Sequence, residues 1–122
     1  MYVLAYVGAA LTVIWGVAHL LATRGVVADF EQVTIDNRRI VTMEWIVEGV
    51  TLVFAGALAA AVTAIDPQNA VSATAYALVI ALLVVLTGVS LATGFRIRFL
   101  PFRLCPVIFM LSAVLIAIGA WL

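Results

Sequence analysis

The sequence predicts an all-α fold, an integral membrane four-helix bundle. Three observations carry this. The chain is 67% hydrophobic and only 10% charged over 122 residues, with a mean hydropathy of +1.31. That is more apolar surface than a soluble domain of this length can hide. Its apolar residues fall into four stretches, each near the roughly 20 residues needed to span a bilayer, and these leave no room for a soluble domain. The whole chain, 1–122, therefore reads as a single transmembrane domain. Finally, the six basic residues are all Arg, three in or beside the first connection and three in the third. The positive-inside rule puts connections 1 and 3 in the cytoplasm and both termini outside, with four spans. Net charge is zero, which leaves no basic surface for nucleic acid.

Helix 1 is expected over about residues 2–23. It lacks the basic start of a signal peptide and is long enough to span, so it reads as a retained helix. Gly8, Thr12, Trp15, Gly16, His19 and Thr23 recur at three- and four-residue steps and share one face. Small residues on that face admit a neighbouring helix closely. Arg24 closes the helix. In the following stretch Val27, Phe30 and Thr34 could form one face of a short helix in the headgroup region, with a plain ordered loop as the alternative.

Helix 2 is expected over about 40–64, with Asp36 or Asn37 as its N-cap. Its special face carries Glu44, Glu48, Thr51 and Ala55, with Trp45 beside it. Arg38 and Arg39 gain nothing from the positive end of the helix dipole. Orientation in the membrane, a phosphate or a carboxylate partner must explain them. Asp66-Pro67-Gln68-Asn69 is a strong turn sequence. Helix 3 follows over about 70–93, with Thr87, Ser90 and Gly94 on one stripe. The stretch 95–103 alternates aromatic or apolar residues with Arg, as an interfacial linker would. Helix 4 is expected over 105–122, with Pro106 in its first turn. Cys105 is the lone cysteine, so no intrachain disulfide exists, and a structural thiol is the expectation.

Depth can be counted from the Arg residues at about 1.5 Å per residue. His19 lies five residues from Arg24, Glu44 five from Arg39 and Ser90 six from Arg96. Trp15, Glu48, Thr87 and Ser112 each lie nine from Arg24, Arg39, Arg96 and Arg103, which makes a second level. All four helices thus place polar residues in the cytoplasmic half, and the pattern predicts one cavity there beneath a dry outer half.

Glu44 and Glu48 are four apart on one helix face, roughly 6 Å from each other. Ionisable groups inside a membrane segment face protein or a wet cavity and mark function. Two carboxylates that close in low dielectric do not both ionise cheaply, so a proton is expected between them or on Glu48, the deeper one. His19, at the level of Glu44, would pair with it or shuttle its proton. That is an acid and a base in one apolar pocket, the requirement for proton-transfer chemistry. Trp15 and Trp45 would form an apolar wall and could face a developing cation. Thr87, Ser90 and Ser112 would bind substrate within the pocket. Arg38, Arg39 and Arg96 would orient the carboxylates or hold an anionic group at the mouth.

The same residue types also suit a metal site or a purely structural role. His19, Glu44 and Glu48 could ligate one divalent ion, although Glu-x-x-x-Glu is no recognised metal signature and there is no second His. The reading therefore assigns no metal and no cofactor. In the structural role these residues would only fix helix register, Glu44 on His19 and Glu48 on Thr87 or Ser112. There are more polar groups here than a register device needs.

The four-helix plan, the polar stripe of helix 1 and the segment Met43-Glu44-Trp45-Ile46-Val47-Glu48-Gly49 resemble small bacterial DoxX-like membrane proteins. That resemblance implies a four-helix bundle and leaves function open. The intramembrane His and paired Glu also look like the site of EXPERA-type membrane proteins, which include sterol isomerases. By that similarity Glu44, Glu48 and His19 would be the acid–base set around a lipophilic substrate.

The expected function is therefore a membrane-embedded acid–base enzyme on a small lipophilic molecule: an isomerase, a cyclase or an epoxide hydrolase. Glu48 would be the general acid, Glu44 the base or its partner, and His19 the relay. The alternatives are a proton-coupled small-molecule transporter or carrier, and a non-catalytic scaffold subunit using the small-residue faces. Membrane lipid and a small lipophilic molecule are the expected partners, and those faces also leave room for a homo-oligomer.

Overall fold

The computed structural model describes residues 2–30 and 33–122, which form four α-helices and no strand. They are α1 (Tyr2–Ala28), α2 (Ile35–Ile65), α3 (Ala70–Thr93) and α4 (Leu100–Trp121). All four are long and apolar enough to cross a membrane. Consecutive helices run in opposite directions around a four-membered ring. α1 packs chiefly on α2 and α4, α3 packs on α4, and α2 and α3 meet only sparingly. Many large apolar side chains lie on the outer surface, among them Leu21, Ile14, Phe54, Ile65 and Leu78. Such a surface suits a lipid solvent and not water.

Glycine sets how closely α1 approaches its neighbours. A Cβ on Gly16 would fall 2.9 Å from the Gly49 carbonyl oxygen, and one on Gly56 would fall 2.6 Å from that of Ala9. Towards α4, a Cβ on Gly119 would strike the Ala5 backbone, and one on Gly8 would lie 2.8 Å from the Ser112 carbonyl. Small residues let helix backbones meet in this way, and van der Waals packing then holds them together.

Two ends of the bundle can be told apart. At one end the turn between α2 and α3 is tied down by side chains. Asn69 caps α3 by accepting from the Ser72 N–H at 2.8 Å. The Ser72 hydroxyl donates to the Asp66 carbonyl, and Gln68 Nε2 donates to the Tyr2 hydroxyl at 2.9 Å. One level deeper, the Thr63 and Tyr76 hydroxyls share a hydrogen bond of 2.8 Å between α2 and α3. Below them Leu52, Ala55, Ala59, Tyr76, Val79, Leu83, Phe109, Ala113 and Ile116 form a closed core. The other end carries the connections rich in Arg.

Three helix termini differ from the sequence expectation. α1 does not stop before Arg24 but continues to Ala28, because buried Val26 extends its packed face and Gly25 meets no obstruction. α2 begins at Ile35: Thr34, not Asp36 or Asn37, is the N-cap, its side chain accepting from the Asn37 N–H. α4 begins at Leu100, so Pro101 and not Pro106 occupies the first turn, and Pro106 lies inside the helix. Either proline satisfies first-turn chemistry, and the earlier one wins. The headgroup helix suggested around Val27, Phe30 and Thr34 runs through residues 31 and 32, which lie outside the described residues. Of its flanks, Val27 belongs to α1 and Thr34 caps α2.

Candidate functional site

A cavity of about 880 Å³ occupies the Arg-bearing half of the bundle. It is lined from α1 by Trp15 and His19, from α2 by Glu44, Trp45, Val47, Glu48 and Thr51, and from α3 by Val89, Ser90 and Thr93. Phe99, Phe102 and Cys105 close it from the α3–α4 connection and α4. Most of the wall is apolar, with a few converging polar groups, which is the usual make-up of a small-molecule site.

Its centre is built on Trp45. The indole stacks on the His19 imidazole with ring centroids 3.8 Å apart and planes 13° from parallel. Its N–H donates to the His19 carbonyl oxygen at 2.7 Å. Phe102 from α4 abuts the same indole edge-on at 5.5 Å, and Phe99 abuts Phe102. One side chain of α2 thus fixes both the backbone and the ring of the histidine on α1.

The histidine faces Glu48. Nε2 lies 3.4 Å from Glu48 Oε2, with the imidazole side chain 5% exposed and the carboxylate 35%. This is ion-pair distance without hydrogen-bond geometry, and Nε2 has no hydrogen-bond partner. Both residues line the cavity, and the carboxylate is the more exposed of the two. One proton held between imidazole and carboxyl would leave the pair neutral overall. A shared proton is how two such groups tolerate a low dielectric. The Trp15 indole N–H is also buried without a hydrogen-bond partner.

The cavity gathers Glu44, Glu48, His19, Trp15, Trp45 and Ser90 of the residues picked out from the sequence. The pairing within that group differs from expectation: His19 meets Glu48 and not Glu44. Counting from Arg24 and Arg39 assumes that these residues lie opposite each other. The register is set instead where Gly16 meets Gly49 and Gly56 meets Ala9, which slides α2 and brings Trp45 and Glu48 to His19. Glu44, one turn nearer the Arg-bearing end, is exposed at the mouth.

The other residues lie elsewhere. Thr87 lines a separate shallow groove between α3 and α4, and its hydroxyl bonds back to the Leu83 carbonyl. Ser112 is buried in the seam with Gly8 and its Oγ has no partner. Arg38, Arg39 and Arg96 do not line the cavity. Arg38 donates to the Phe30 carbonyl, and Arg39 pairs loosely with Asp36 on the surface. Among the described residues, no three of His, Cys, Asp and Glu gather to hold a metal ion.

Sequence reasoning passes over Phe99, Phe102 and Cys105 as site residues. The aromatics read as headgroup anchors and the thiol as structural. The signal that could find them is Pro101: with α4 starting there, Phe102 and Cys105 lie three apart on one face. No protein-family model, curated protein or solved structure matches the chain.

Proposed function

We propose that the protein is a membrane-embedded acid–base enzyme acting on a small lipophilic molecule. The observation that carries this reading is the Glu48–His19 pair in the wall of a large, mostly apolar cavity. In the proposed reaction Glu48 exchanges a proton with the substrate, and His19, 3.4 Å away, takes up or resupplies that proton. Trp45 holds the imidazole in place, so the reacting groups need little reorganisation. Glu44, at the mouth, is the second carboxylate and exchanges protons with the aqueous side. Isomerisation, cyclisation and epoxide opening all require this donor–acceptor arrangement. The helices span the bilayer with the Arg-bearing end in the cytoplasm and the tied turn outside.

The tight packing of the opposite half favours an enzyme over a proton-coupled transporter. Leu52, Tyr76, Leu83 and Ile116 are fully buried there and leave no path onward.

The test compares lipophilic extracts of membranes holding wild type or Glu48→Gln. The expected result is a compound that accumulates with the variant and a product that appears with the wild type. A product of unchanged mass identifies isomerisation or cyclisation, and the gain of one water identifies epoxide opening. Identical extracts from well-folded wild type and variant would remove the enzyme reading.

A further inference from the structure

The cavity is not equally closed on all sides. Its back wall is α1 and α4, where His19 and Cys105 are buried. Its front is the interval between α2 and α3. Val47 on α2 and Val89 on α3 both line the cavity, and both are 52% exposed. These two helices are the adjacent pair with the sparsest packing. They are pinned together at the far end by Thr63 and Tyr76, and by Ser72 on the Asp66 carbonyl. No glycine draws them together near the cavity: Gly88, the glycine of α3 at that depth, meets nothing within 4 Å. The interval is therefore a slot bordered by valines, at a depth where the solvent is hydrocarbon.

The groups behind the slot describe what passes through it. No Arg lines the cavity, whose ionisable side chains include the carboxylic acids Glu44 and Glu48, with His19 3.4 Å from Glu48. A buried anion would find no compensating charge, and such a charge is costly to desolvate. Two buried nitrogens, Trp15 Nε1 and His19 Nε2, have no hydrogen-bond partner. An uncharged oxygen head would supply one.

We infer that the cavity takes its ligand sideways from the bilayer through the slot between α2 and α3, and that the ligand is an uncharged lipophile with one oxygen-bearing head directed at Trp15, His19 and Glu48. This specifies the substrate class and route for the enzyme reading and rests on it for turnover. The route itself stands or falls without turnover.

Cys105, the single cysteine, sits in the back wall and reports on the route. The experiment places the protein in lipid nanodiscs, where both aqueous faces are open. It compares labelling of Cys105 by N-dodecylmaleimide, which partitions into lipid, and by a sulfonated maleimide, which does not. The expected result is labelling by the first and none by the second until the protein is unfolded. Val47→Trp and Val89→Trp each narrow the slot. They should slow labelling roughly tenfold, equivalent to a barrier about 1.4 kcal/mol higher. Val50→Trp, exposed on α2 outside the cavity, should leave the rate unchanged. Dodecan-2-one should protect Cys105, and dodecyltrimethylammonium should not.

Fast labelling by the sulfonated reagent would overturn the lateral route, as would indifference to both slot variants. Protection by the ammonium compound alone would overturn the uncharged head. The extract comparison separates the two proposals: if wild type and Glu48→Gln give identical extracts but slot-dependent labelling persists, the enzyme reading fails and the route stands.

Discussion

The two halves of this bundle use the same kinds of residue and reach opposite results. At the end tied by the turn, α1 is drawn against α4 through Gly8 and Gly119, and against α2 through Gly56. The space between is filled by Leu52, Tyr76, Phe109 and Ile116. At the Arg-bearing end α1 and α2 stay close, at Gly16 and Gly49, but α3 stands off and a cavity opens. Hydrophobicity does not separate the halves, since both are apolar. What separates them is whether backbones can touch. Where a helix surface is small, dispersion contacts close the seam. Where Trp15, Trp45 and Phe102 stand instead, their bulk holds the helices apart and their faces become a wall.

The sharpest way to break this contrast is to add bulk to the closed half. Gly119→Val drives a side chain into the Ala5 backbone, which has no flexible end to yield. It should cost about 3 kcal/mol or more, or prevent folding. Gly88→Val, with open space around it, should be almost silent in the same unfolding assay in mixed micelles.

A smaller loss is expected from Thr63→Val. It strands the Tyr76 hydroxyl, which belongs to a fully buried residue. The expected cost is about 1–2 kcal/mol. Unfolding midpoints would show it, and equality with wild type would mean that the α2–α3 pin contributes nothing.

Trp45→Phe keeps an aromatic face for His19 but removes the hydrogen bond to its carbonyl. A loss of about 1 kcal/mol is expected. If the loss is several times larger, the indole supports the open half by its volume more than by its N–H.

Ser112→Ala should change least. Its hydroxyl is buried and unpartnered, so removal should leave stability within about 0.5 kcal/mol of wild type or raise it slightly. A clear loss would show that this oxygen is bonded in the seam.

Much of this arrangement can be read from residue order, and the unread part has a physical cause. α3 runs from Ala70 to Thr93, as the turn sequence Asp66-Pro67-Gln68-Asn69 before it implies, and its side-chain cap is Asn69. Depth is legible as well: His19, Glu44, Glu48 and Ser90 count to one half of the bundle and line one cavity. Direction around each helix is not. Helices apolar on all sides give no polar face to orient them. Thr87 and Ser112 thus count to the level of Glu48, yet they face the α3–α4 groove and the α1–α4 seam. Nor can Arg positions give the register between α1 and α2, because charged residues near the ends tolerate sliding and touching glycines do not. That slide decides whether Glu44 or Glu48 meets His19.

The seam of Gly8 and Gly119 has a consequence for how the chain is made. It joins the first of these helices to the fourth, so the ring cannot shut while only α1, α2 and α3 have left the ribosome. The α1–α2 hairpin already holds His19, Trp45 and Glu48 at that stage. Phe102 and Cys105 arrive only with α4. Until then the imidazole and its carboxylate lack the wall that α4 supplies, and docking of α4 is the event that turns a hairpin into a chamber.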